Sequence, residues 1–129
     1  MSTGVPDAPS LIDLGKLGED TACRELERQG YAILARRYRS RHGEIDIVCD
    51  DGGTLVFVEV KARRSKRCGT AAEAITFRKR RKIAAMALDY LSHQPRGAPC
   101  RFDVVAIDSM GTSAETVRVI RNAFLAYER

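Results

Sequence analysis

The chain has 129 residues and a mass of 14.3 kDa, with 44% hydrophobic and 30% charged side chains and 22 Lys and Arg against 17 Asp and Glu, a net charge of +5. That length fits one domain of about 100–150 residues, large enough to bury a core without disulfide or metal staples. The apolar content argues against wholesale disorder, no apolar run approaches the roughly 20 residues that cross a bilayer, and the basic excess favours a polyanionic partner.

Met1 to Ser10 is polar, contains Pro6 and Pro9, and reads as a flexible N-terminal tail without a secretion signal, so cytoplasm is the expected compartment. Residues 11–129 are expected to form a single domain. Leu11 to Gln29 has helical periodicity, and Gly30 supplies a stop. Tyr31 to Tyr38 reads as a strand running into a basic end. Gly43 to Cys49 alternates, Asp50 to Gly53 is a turn, and Thr54 to Lys61 completes a hairpin. Ala62 to Gly69 is a basic loop. Thr70-Ala71-Ala72-Glu73 matches a capping box, and a long helix is expected from there to His93, with Thr76 a candidate break. Gln94 to Pro99 is a loop, Arg101 to Asp108 a strand, and Thr116 to Arg121 a last strand. The order predicts an α/β domain, a central mixed sheet of four to five strands flanked by helices. The cysteines, Cys23, Cys49, Cys68 and Cys100, form no C-x-x-C pair and no cluster with His42 or His93, which argues against zinc. Cys23 and Cys49 fall on apolar stripes and read as core residues.

Four ionisable residues stand in unusual positions. Side chains alternate across a strand, so Leu55, Phe57, Glu59 and Lys61 share one face, and Val56, Val58 and Val60 the other. In the preceding strand Ile45, Ile47 and Cys49 are expected on one face, and Glu44, Asp46 and Val48 on the other. A hairpin turned at Asp50 to Gly53 then brings Asp46 opposite or diagonal to Glu59. Glu19 lies on the helix stripe of Ala22, Cys23 and Leu26, which should pack inward; a carboxylate there needs a cation, either a side chain or a metal. Each residue has an ordinary reading. Glu59 and Lys61 could be a strand-end ion pair, Asp46 a turn cap, Glu19 the salt-bridge partner of Lys61, and Glu44 a solvated edge residue. The conjunction of all of them argues for chemistry. Hard divalent cations take oxygen ligands, and Asp46, Glu59 and the Val60 carbonyl would supply part of an octahedral shell. Mg²⁺ or Mn²⁺ so held activates water and draws charge from a phosphoryl oxygen, while Lys61 handles the attacking water.

The runs Gly43-Glu44-Ile45-Asp46 and Phe57-Val58-Glu59-Val60-Lys61 resemble the D…(E/D)-x-K signature of restriction-endonuclease-like nucleases. With Leu17-Gly18-Glu19, Gly30-Tyr31-Ala32-Ile33-Leu34, Ala71 to Ile83 and Arg101-Phe102-Asp103-Val104-Val105, the chain resembles the YraN family from Leu14 to Ile107, small bacterial proteins similar to archaeal Holliday-junction resolvases. The resemblance implies a restriction-endonuclease-like fold with an α-β-β-β-α-β core. It implies Asp46 and Glu59 as metal ligands, Lys61 as the catalytic lysine and Glu19 as a further carboxylate near the metal. Lys79 matches a polar position on the second helix; it shares a face with Ile83, Met86, Ala87 and Tyr90 and so can point inward. Two departures stand out: Ile45 replaces the proline of the wider signature, and Arg37 stands where asparagine is expected.

Lys61 to Lys82 holds ten of the 22 basic residues and one acid, Glu73. Arg36, Arg37, Arg39 and Arg41 form a second cluster. Arg37, Arg39, Arg41, Arg63, Arg64 and Lys79 are therefore the residues expected on nucleic acid, through salt-sensitive phosphate contacts. The expected function is that of a Mg²⁺-dependent endonuclease hydrolysing phosphodiester bonds in branched or damaged DNA. The alternative is a catalytically inactive nucleic-acid-binding module of the same fold. Resolving a symmetric four-way junction would call for a homodimer; no membrane partner is expected.

Overall fold

The structure, a computed structural model, describes residues 11–64, 76–93 and 99–124. Helix α1 (Leu11–Arg28) leads into strands β1 (Ala32–Ser40), β2 (Gly43–Asp51) and β3 (Thr54–Ala62). Helix α2 (Phe77–Ser92) and strands β4 (Cys100–Asp108) and β5 (Thr116–Ile120) follow. The strands form one sheet in the order β1-β2-β3-β4-β5, antiparallel throughout except for the parallel pair β3 and β4. A parallel pair cannot be joined by a tight turn, and α2 lies in the crossover that joins this one. The result is the expected α/β architecture, a five-stranded mixed sheet flanked by two helices, with a restriction-endonuclease-like core.

Local chemistry explains the element ends. Helix α1 stops after Arg28, where the Tyr31 N–H donates back to the Leu26 carbonyl at 3.0 Å. The β2–β3 hairpin turns on Gly52 and Gly53, both at positive φ (60° and 99°), as a two-residue turn with the right twist requires. The capping box at Thr70 to Glu73 lies outside the described residues. Helix α2 begins at Phe77, with Thr76 as its N-cap; the Thr76 hydroxyl accepts the Lys79 N–H at 3.1 Å.

Each face of the sheet carries one helix. Ala22, Cys23 and Leu26 of α1 pack on Ile47, Cys49, Val56, Val58, Val105 and Ile107. Ile83, Met86 and Ala87 of α2 pack on Ile45, Val48, Leu55, Phe57, Val104 and Ala106. The α1 stripe and the two faces of β3 are those expected from the sequence. Gly18 lets α1 approach the end of β3 closely: a Cβ there would lie 3.3 Å from the Ala62 Cβ. Glu19 is thereby brought against the same end of the sheet.

One expectation fails. Ile45 does not share a face with Ile47 and Cys49; it lies with Val48 on the α2 face. The alternation of β2 slips at Asp46, where the strand leaves its ladder. Pairing of β2 with β3 runs from Asp51↔Thr54 only to Ile47↔Val58. Continued in register, Asp46 would sit opposite Glu59 and Ile45 opposite Val60, but neither pair forms. On the other side of β2, Arg36 pairs with Ile47 and Tyr38 with Ile45; Arg37 between them has φ 52°, a conformation uncommon for a residue with a long side chain.

At the opposite end of the sheet a buried polar network holds the layers in place. Asp103 is 0% exposed and accepts from Tyr31 Oη (2.8 Å), Arg101 Nε (3.0 Å) and the Asn122 N–H (2.9 Å). Arg101 also donates to Asp51 at 2.6 Å. Every oxygen brought into this dry region is therefore matched by a donor.

Candidate active site

Where β2 parts from β3, the side chain of Asp46 replaces the missing ladder. Its Oδ2 accepts the Val60 N–H at 2.8 Å. Burial, and then the charge of nearby Glu59, push the Asp46 carboxyl well above the usual aspartate range. The Val60 hydrogen bond and the Lys79 charge act the other way without overcoming this. A part-buried carboxylate so disfavoured as an anion marks a place short of positive charge.

Two further carboxylates meet it. One oxygen each of Glu19, Glu44 and Asp46 lie within 4.8 Å of one another. Glu19 arrives from α1 and is only 7% exposed. It is held by arginines rather than by Lys61: Arg37 Nε donates to both its oxygens at 2.9 Å, and Arg36 lies 3.6 Å away while bonding Asp20 at 2.6 Å. Glu44, read from the sequence as an edge residue, bonds Arg39 Nε at 2.9 Å. It is exposed, as a solvated edge residue would be, yet brings an oxygen close to Asp46, with which alternation places it on one face.

Glu59 reaches the site from the α2 side. It is 5% exposed and ion-paired with Lys79. Lys79, expected on nucleic acid, thus points inward and neutralises the glutamate of the E-x-K run. Lys61 stands beside it, half-buried, and its ammonium is destabilised first by burial and then by the charge of Lys79. A lysine shifted in that direction gives up its proton more readily than a solvated one.

The remaining basic residues divide in two. Arg63 is drawn to Asp108 at 3.7 Å, and Arg64 is exposed. Arg41 is exposed in the β1–β2 turn and carries no ion pair among the described residues. Cys23 and Cys49 are buried free thiols in the α1-facing core, while Cys100 is exposed and Cys68 lies outside the described residues. No helix among the described residues is long and apolar enough to cross a membrane.

Residues 18–107 match the family described as Uncharacterised protein family UPF0102. A UPF0102 protein of Symbiobacterium thermophilum is 46% identical over 114 residues, 88% of this chain and 97% of the relative. One from Pseudomonas aeruginosa is 45% identical over 121 residues, covering 92% of this chain and 97% of the relative. One from Lachnoclostridium phytofermentans is 49% identical over 115 residues, covering 88% and 93%. The matched span contains Glu19, Glu44, Asp46, Glu59, Lys61 and Lys79.

Proposed function

The chain belongs to the UPF0102 (YraN) family, and on that footing we propose that it is a divalent-metal-dependent endonuclease acting on DNA, branched or damaged DNA in particular. One observation carries the reading: Asp46, Glu19 and Glu44 converge at the open end of the sheet, with Glu59 and Lys61 beside them. The donor set fits a hard cation. All its side-chain donors are oxygens, Asp46 is disfavoured as an unpaired anion, and several of the ligands are fixed on strands and a helix. Asp46 and Glu19, with Glu59 and the Val60 carbonyl, would hold Mg²⁺ or Mn²⁺, which when bound makes hydroxide available near neutral pH and draws charge from a phosphoryl oxygen.

The chain's own groups do the rest. The Asp46 to Val60 N–H bond fixes the orientation of that carboxylate. Lys61, with its lowered proton affinity, takes a proton from the attacking water when neutral, or holds a phosphate oxygen when charged. Lys79 keeps Glu59 aligned. The test is cleavage of synthetic junction, flap, duplex and single-stranded DNA with Mg²⁺ or Mn²⁺, comparing wild type with Asp46→Ala and Lys61→Ala. Both substitutions are expected to abolish cutting; cutting that survives both overturns the assignment.

A second reading has its own support. Lys79 already neutralises Glu59, and Arg37 already neutralises Glu19. A site so balanced by its own side chains suits a binding module that kept the fold without the reaction. Metal-independent DNA binding with no cleavage of any substrate would favour it.

A further inference from the structure

Beside the carboxylate site, between the β1–β2 turn and α2, runs a groove of about 560 Å³ lined by Arg41, His42, Phe77, Arg78, Arg81, Lys82 and Ala85. A second depression of about 400 Å³ shares Arg78 and Lys82 and continues to Lys79, whose ammonium faces Glu59. The two make one path from the β1–β2 turn to the edge of the site.

Two properties distinguish this path. It is strongly cationic, and among the described residues Arg41, Arg78, Arg81 and Lys82 have no carboxylate partner, whereas Arg36, Arg37 and Arg39 are all paired. It also exposes an aromatic ring. Phe77 is 57% exposed, and among the described residues no ring or guanidinium packs against it. A solvated helix face explains arginines and lysines, but not a bare phenyl ring in their midst. Cations that track phosphates together with a flat apolar ring that takes a base are what an unpaired strand requires. A continuous duplex offers only phosphates and groove edges there, because its bases are already stacked on each other. An acidic peptide would match the charge but leave the ring without a partner.

We propose that this groove holds an unpaired DNA strand next to the carboxylate site, with Phe77 stacking one base and Arg41, Arg78, Arg81 and Lys82 on the phosphates. This rests on the nucleic-acid reading above and deepens it: the protein selects DNA with a single-stranded arm over uninterrupted duplex.

The test is binding in EDTA, where nothing is cut. The full-length protein should bind a duplex with an oligo-dT tail about tenfold more tightly than the blunt duplex, a preference one stacked base can supply. Phe77→Ala should remove that preference while leaving blunt-duplex affinity unchanged, and Arg81→Ala should lower the salt slope for oligo-dT by about 0.7. The chain has no tryptophan, so Phe77→Trp provides a unique fluorophore whose emission should be quenched by oligo-dT and not by poly-glutamate. Equal binding of tailed and blunt duplex, a preference that survives Phe77→Ala, or equal quenching by poly-glutamate overturns the groove. The two readings fail separately. A protein that cuts no DNA yet shows the tail preference and the quench keeps the groove and loses the nuclease; one that cuts DNA with no tail preference does the reverse.

Discussion

Asp46 takes the Val60 N–H through its side chain, at 2.8 Å, where the β2 backbone would otherwise have supplied a carbonyl. A residue that binds metal in the proposed reaction therefore also closes the β3 ladder, and its charge opposes stability when no metal is present.

The sign follows from the direction of the shift. Asp46 titrates above its ordinary value of 3.8, so between that value and its raised one the folded state binds more protons than the unfolded state. Stability from this group is greatest at the acid end of the window and is lost as pH rises through it. An asparagine side chain in its place keeps an oxygen for Val60 and removes the charge. Metal-free Asp46→Asn is therefore expected to melt a few degrees above wild type at about pH 8, with the difference vanishing toward about pH 4. Thermal unfolding across pH checks this; a lower Tm for the variant at the alkaline end contradicts it.

Lys79 and Glu59 make a second stability test. Removing the ammonium in Lys79→Met leaves Glu59 buried without a partner, at an expected cost of about 1–2 kcal/mol, discounted because Lys79 is 42% exposed. Because a bound cation would serve Glu59 instead, the rise in Tm on adding Mg²⁺ should be larger in this variant than in wild type. An equal rise would mean that Glu59 is not near the metal.

The same substitution reports on Lys61. The charge of Lys79 is one of the causes that lower the proton affinity of Lys61, and burial is the larger. With Lys79 removed, Lys61 should titrate higher. Whichever limb of the pH–rate profile Lys61 sets should then move to higher pH in Lys79→Met. An unmoved profile would take Lys61 out of the reaction.

Arg37 sits at φ 52° with its guanidinium across both oxygens of Glu19. Asparagine tolerates that backbone better, so Arg37→Asn should relieve backbone strain while losing a half-exposed ion pair, two small effects of opposite sign. Stability should change little, but Glu19 keeps only the longer contact to Arg36. Titration calorimetry should show tighter Mg²⁺ binding than in wild type; weaker binding would mean that Arg37 positions Glu19 rather than competing for it.

Asp103 provides the contrast, because it is fully buried, pairs in register with Val58, and does not belong to the carboxylate group of Glu19, Glu44 and Asp46. Asp103→Ala leaves the Tyr31 hydroxyl and the Asn122 N–H without their acceptor and Arg101 with Asp51 as its one carboxylate among the described residues, and should cost about 3–5 kcal/mol in denaturant unfolding. The folded fraction should bind metal as wild type does.

The parts of this architecture that rest on repeating patterns are legible in the sequence. The period of α1 marks Glu19 as inward, and the alternation of Thr54 to Lys61 puts Glu59 with Phe57 on the face that α2 covers. What cannot be read is where a pattern stops. Nothing in Gly43 to Cys49 signals that pairing ends at Ile47, so strict alternation puts Ile45 on the wrong face. Partners separated by long stretches of chain are equally hidden. Arg37 rather than Lys61 holds Glu19, and Lys79 pairs with Glu59, because three-dimensional proximity and not spacing decides which charges meet.

The parallel pairing of β3 with β4 has a consequence for the order in which the molecule acquires its chemistry. Strands β1 to β3 form a meander of local contacts and can zip early, whereas the crossover closes a long loop and should come late. Lys79 travels with that crossover. A chain ending before α2 would therefore carry Asp46 and Glu59 without the ammonium that pairs with Glu59, and without the α2 side of the cationic groove. On the function proposed above, the groups that would engage a strand are complete only once the crossover has closed.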